Sequence, residues 1–262
     1  MNRIFVMVVL STVFVFFVPS CASSRNTADA SAFSPPGQSN YYTLDSQDGS
    51  LVVLGVSSRL VRRDDELEAA QEDAAKKVAL YYGVSGSVES RYRTGASFFS
   101  YIADSEVSIE STRDHSDFID GLTFDPETDV LTFQGGTIVR FRYGSGIPRI
   151  NYSDTPGRNG RPTWINRNNF NIEGYVAAVG FSQNQVWLRD TVMKATEAAA
   201  ARLITGIETS IENTVEDVQG QGSVTYITSK SSGILNEFRI LEFWIDPANL
   251  SVYALGIARV PN

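Results

Sequence analysis

The strongest constraint on the fold of this chain is that its body is written twice. "LGVSSRLVRRDDELEAAQEDAAKKVALYY", from Leu54, and "VGFSQNQVWLRDTVMKATEAAAARLITGI", from Val179, align at an offset of 125. Gly55 then pairs with Gly180, Ser57 with Ser182, Asp65 with Asp190, Ala70 with Ala195, Glu72 with Glu197, and Ala74 and Ala75 with Ala199 and Ala200. The periodicity agrees better than the letters. Leu67, Ala70, Ala74, Val78 and Tyr82 fall at helical spacing, and so do Val192, Ala195, Ala199, Leu203 and Ile207. Each set predicts a helix with one apolar stripe and charges opposite. Alanine is small, so each helix can sit close on a sheet. Asp65 and Asp190 suit the first turn, where backbone N–H groups lack partners and carboxylates are favoured.

A short apolar strand precedes each helix, "LVVLGVS" and "YVAAVGFS", and extended sequence follows, "SVESRYRT" and "TSIENTVEDV". In the second copy "FRILEFWI" and "LSVYALGIARV" alternate as hairpin strands do; "FIDGLTF", "VLTF" and "TIVRFRY" do so less cleanly in the first. Each copy reads β–α–β–(short helix or loop)–β–β. The expected fold class is α+β, with two tandem repeats, each an Ala-rich helix on a mainly antiparallel sheet. The copies span 42–143 and 171–262.

A second twin supports this reading. "FDPETDVLTF" from Phe124 matches "IDPANLSVYA" from Ile245. Asp125, Glu127 and Asp129 suggest a small cation site. A calcium loop of the EF-hand kind needs more oxygen ligands and a central glycine, and the twin has lost two of the three carboxylates. A copied turn explains both stretches: proline presets φ, and aspartate bonds the backbone two residues on. Asp125, Pro126, Asp246 and Pro247 are therefore assigned as structural turn residues and no metal site is assigned. The connector, 144–170, is rich in Gly, Pro, Asn and Arg and reads as a linker or surface loop. Its arginines (149, 158, 161 and 167) suit either a solvated linker or a contact to the acidic body or an anionic envelope polymer.

The first 21 residues, "MNRIFVMVVLSTVFVFFVPSC", place one basic residue before an apolar run from Ile4 to Val18, then the sole cysteine. That order is a secretory signal, and the run is short for a membrane span of roughly 20 residues. It resembles a bacterial lipoprotein precursor: Val18, Ser20 and Cys21 match the lipobox, and Pro19 departs from it. The resemblance implies a diacylglyceryl group on Cys21, a position suited to a nucleophilic thiolate. The other reading is ordinary cleavage after Ala22. Residues 22–41 are rich in Ser, Ala and Asn around a Pro-Pro-Gly break and read as a flexible tether.

"YVAAVGFS", "MKATEAAAARL" and "ILNEFRILEFWIDPANLSVYALGIARV" resemble the twenty-kilodalton surface-lipoprotein family of bacteria, with Trp244, Asp246 and Tyr253 matching its C-terminal hairpin. The likeness covers roughly a third of the chain; the first copy departs from it, with no tryptophan and a longer middle. The resemblance implies an envelope location and protein–protein roles, as in flagellar outer-membrane accessory proteins, and carries no catalytic residues.

The remaining chemistry is sparse. A net charge of −8 argues against non-specific nucleic-acid binding. One cysteine and one histidine exclude an intramolecular disulfide and a Cys/His zinc site. His115, in "RDHSDF", is read as an exposed histidine rather than a triad member, and "GVSGS" fails the spacing of a nucleophile elbow. Glu66, Glu68, Glu72 and Asp73 are read as a charged outer helix face. Phe98, Phe99 and Tyr101 are read as core rather than as a partner surface. The expected function is that of a non-enzymatic, lipid-anchored envelope protein that binds other proteins and needs no cofactor. The expected location is the outer membrane, facing the periplasm. The second reading is a periplasmic ligand binder using an inter-domain cleft lined by Trp164, Trp187 or Trp244.

Overall fold

The computed structural model describes residues 41–44, 48–95, 98–133, 135–152, 154, 157, 160–207, 210–218 and 222–259; the side chains of 91–105 and 207–228 lie outside that description. The signal segment, Cys21 and the tether up to residue 40 also lie outside the described residues. No helix among the described residues is long and apolar enough to cross a membrane.

The fold is mixed α/β with antiparallel sheets. The first half contains β1 (Tyr41–Thr43), β2 (Leu51–Ser58), α1 (Arg63–Tyr82), β3 (Val84–Gly95), β4 (Phe98–Ser111), a 3-10 segment (His115–Gly121), β5 (Leu122–Thr123), β6 (Val130–Phe133) and β7 (Gly136–Tyr143). The second contains a 3-10 turn (Thr163–Asn166), β8 (Phe170–Ile172), β9 (Tyr175–Ser182), α2 (Leu188–Ile207), β10 (Ser210–Val218), β11 (Gly222–Ile245) and β12 (Val252–Arg259).

Both helices have 20 residues and begin 125 positions apart. The stripes read from the sequence face inward: Ala70, Ala74 and Val78 of α1, and Val192, Ala195, Ala199 and Leu203 of α2, are all buried. Tyr82 departs from its stripe. It is 40% exposed and stacks on Phe118. Each helix crosses its strand at a glycine. A Cβ on Gly55 would lie 2.1 Å from the Ala70 carbonyl oxygen, and one on Gly180 would lie 1.9 Å from that of Ala195. Only a residue without a side chain permits this approach.

Strand pairing adds a feature that the sequence does not announce. The smaller sheet belongs to the first half, with β2, β5 and β6 all paired to β7. Yet β3 and β4 leave it and join the sheet of the second half. β3 pairs with β11 from Val84↔Leu235 to Gly95↔Val224. β11 is 24 residues long: its N-terminal part lies between β10 and β3, and its C-terminal part pairs with β12 and β1. Alternating patterns fix which face of a strand is buried but not which strand lies alongside it.

The connector also corrects the reading of a plain linker. Ile150, Trp164 and Ile165 are buried and pack with Ile172, Tyr175, Trp244 and Leu255. Three large apolar groups set in a polar stretch are enough to seat it on the body, because burying each one contributes about 2 kcal/mol.

Candidate functional site

The two Asp-Pro stretches form equivalent turns. Asp125 Oδ1 accepts from the Glu127 N–H and Asp246 Oδ1 from the Ala248 N–H, each at 2.9 Å. The carbonyls of Asp125 and Asp246 accept from the N–H groups of Asp129 and Leu250, each at 2.8 Å. Pro126 and Pro247 follow directly, where a missing N–H costs nothing. Asn249 Oδ1 accepts from Ser251 N–H, closing the second turn.

The third carboxylate of the first stretch, Asp129, is a fully buried anchor. It receives Arg140 at 2.7 Å, Arg142 at 2.5 Å and the Asp125 N–H at 2.9 Å. Burial acts to raise its pKa, but these three donors outweigh burial and hold it below the usual carboxylate range.

Two carboxylates assigned to the outer face of α1 are instead buried. Glu66 takes hydrogen bonds from the Leu60 N–H at 3.0 Å, from Thr137 Oγ1 at 2.5 Å and from Arg63. Asp73 accepts from Val56 N–H at 2.8 Å and from Lys77 Nζ at 2.6 Å, and Lys77 also reaches the Leu54 carbonyl at 2.6 Å. Positions 66, 73 and 77 share one line of the helix. The close approach at Gly55 brings that line onto the backbone of β2. Glu72 stays at the surface, 3.7 Å from His115, which also lies 3.5 Å from Asp114.

The most unusual chemical group is Glu242, on β11 and only 3% exposed. Trp164, held by the connector, donates its indole N–H to Glu242 Oε2 at 2.5 Å. The Tyr41 hydroxyl, on β1, interacts with the same carboxyl group. Burial pushes the Glu242 pKa up to about 7, against the lowering effect of Tyr41 and Trp164, with Asp154 adding to the rise. Burial likewise pushes Tyr152 up to about 12, helped by Glu242 and Asp154. The indole hydrogen bond thus ties the buried Glu242 carboxyl group to the connector. Two connector arginines lie over aromatic rings: Arg161 is 5.9 Å from the Trp244 ring centre and Arg167 is 5.2 Å from that of Phe170. Arg158 lies outside the described residues.

A groove of about 310 Å³ opens between the halves, lined by Arg59 and Phe133 on one side and Trp187, Leu188, Ile245 and Leu250 on the other. Asn184 and Gln185 also line it, and three of its apolar side chains are open to solvent: Val186 is 87% exposed, Trp187 49% and Leu250 44%. Val61, 125 positions before Val186 on the equivalent strand-to-helix loop, is 100% exposed. Of the three tryptophans expected to line a cleft, Trp187 does so; Trp164 and Trp244 are core residues. Phe98, Phe99 and Tyr101 fall in β4, and their side chains lie outside the description.

Comparison with known protein families, curated proteins and solved structures finds no match.

Sequence reading missed the Glu242–Trp164 pair because its members stand 78 residues apart. The available signal was a lone glutamate inside a continuous apolar run, "ILEFWI", where a carboxylate demands a buried partner.

Proposed function

We propose that the chain is a lipid-anchored protein of the bacterial cell envelope, a tandem pair of β–α repeats that binds other envelope proteins and catalyses no reaction. The signal pattern, Cys21 and the polar tether support the anchor, which would leave the body on the periplasmic side of the outer membrane. The 125-residue offset, shared by two 20-residue helices and by the glycine contacts at Gly55 and Gly180, supports the repeat. The observation that carries the binding role is the exposed rim of Val186, Trp187 and Leu250 around the groove, because exposed apolar clusters mark interaction surfaces. A partner would present apolar side chains to it. A second reading, binding of a small ligand, draws on the same groove, whose volume sits at the low end of the range for ligand pockets.

A photo-crosslinking amino acid at position 187 separates the two. In intact envelopes it is expected to give a discrete protein adduct, with none from the same group at Glu68 on α1. No adduct at 187, together with quenching of Trp187 fluorescence by a small-molecule extract, would favour the ligand reading.

A further inference from the structure

β3 and β4 form one long hairpin and β10 and β11 another. They lie side by side in the order β4-β3-β11-β10, every pair antiparallel, with Gly95 at the end of β3 level with Val224 near the start of β11. Register and the two-residue period of a strand place the charges with unusual bias. In the first hairpin Glu89, Arg91, Arg93, Asp104, Glu106 and Glu110 all fall on one face. In the second, Glu212, Glu216 and Lys230 fall on the same face, with Val218, Val224 and Tyr226 among them, and Lys230 lies 3.6 Å from Glu89. The other face has Val88, Tyr92, Ile102, Val107, Val215 and Ile227, with Ser, Thr, Asn and Gly between them. Its one charge is Asp217, at the end of β10. At the body end this face is covered by α2, where a Cβ on Gly86 would meet Ile204 at 2.7 Å. Farther out it is not covered to the same degree: Val107 is 47% exposed.

Among the described residues the outer edges of β4 and β10 are unpaired. Such edges are templates for another strand. The chain itself shows which strand fits. The β3–β11 junction joins the first strand of one hairpin to the second strand of the other. Repeating that operation sets β10 against β4 of another copy, again antiparallel. The operation also carries a stagger. Ser210 lies level with Glu89 across Lys230, four residues beyond Ser85, its equivalent at the 125-residue offset. Closing a sheet into a barrel requires such a stagger. The lengths suit a bilayer as well: β10 has nine residues, and about 9–11 tilted residues span the hydrocarbon.

We propose that copies of this chain join β10 to β4 in a closed, membrane-spanning β-barrel, with the nearly charge-free face toward lipid and the charged face lining a water-filled pore. This head-to-tail contact uses two different surfaces, so it forms a ring where the rotation closes. Membrane barrels keep charged side chains off the lipid face, where they are costly, and accept them on the lumen face. The inference rests on the envelope and repeat readings above and goes beyond them in naming a second copy and a bilayer as partners.

The test uses the full-length chain, extracted from envelopes in dodecyl maltoside, sized by native mass spectrometry and added to planar bilayers of diphytanoyl phosphatidylcholine. Multi-copy rings and stepwise ion conductance are expected. Ile227→Lys puts a charge on the lipid face and is expected to cut conductance events about tenfold or more. Thr228→Lys, the adjacent position on the pore face, is expected to keep both assembly and conductance. A monomeric wild type, rings that never conduct, or equal conductance from the two variants would overturn the inference. Palmitate labelling reads the anchor separately: an unlabelled chain that conducts keeps the barrel and loses the anchored reading, whereas a labelled monomer does the reverse.

Discussion

Gly180→Ala and Gly55→Ala are each expected to destabilise the fold by about 4 kcal/mol, enough to unfold a domain of ordinary stability. Overpacking a core usually costs about 1–3 kcal/mol, because side chains can rotate away from the added group. Here the added methyl would meet backbone, the Ala195 carbonyl at 1.9 Å and the Ala70 carbonyl at 2.1 Å. A helix carbonyl cannot rotate away, so the whole helix must lift off its strand. Gly180 is the tighter of the two sites, with Ala199 N also within 2.4 Å. Gly160→Ala is the control. It has positive φ (69°) and open space around it, so only backbone strain of about 1 kcal/mol is expected. Urea midpoints by circular dichroism measure all three. Equal small shifts would show that the helices do not rest on these glycines.

Glu242→Gln is expected to remove a pH dependence of stability worth about 3 kcal/mol. The native carboxyl is pushed up to about 7 by burial, above the usual value of about 4.5. Between these values the folded state holds more protons than the unfolded state, so stability falls as pH rises. The stabilising contribution is complete below about pH 4.5 and lost above about pH 7. Glutamine keeps an acceptor for the Trp164 indole without the buried charge. The variant should match wild type near pH 4 and exceed it at pH 8, read as the difference between their thermal midpoints across that range. Taking the difference matters because Asp129, held below the usual range by Arg142, the Asp125 N–H and Arg140, contributes in the opposite sense at acid pH. A difference that does not change with pH would mean that Glu242 titrates normally and that the connector is not tied to its charge.

Much of the fold was legible because it rests on local patterns. The stripes of α1 and α2 were read from spacing, and Ala70, Ala74, Ala195 and Ala199 are all buried. Three things were not legible, each for a physical reason. The β3–β11 pairing joins strands more than a hundred residues apart, and alternation names a face but no neighbour. Glu66 and Asp73 look like surface charges until the glycine contact at Gly55 brings their line of α1 onto β2. Composition marks the connector as a loop, yet Trp164 is completely buried, and one tryptophan outweighs many polar neighbours in deciding where a segment lies. The candidate site suffered most, because Glu242, Trp164 and Tyr41 come from three distant segments.

The central claim is that this body is held at a bacterial envelope by lipid on Cys21. Cells fed an alkyne palmitate analogue, expressing wild type or Cys21→Ser, test it directly, with the intact mass of the mature protein as the readout. The account predicts label and acyl mass on a chain beginning at Cys21, both absent from the variant. An unlabelled mature chain beginning at Ser23 would contradict it.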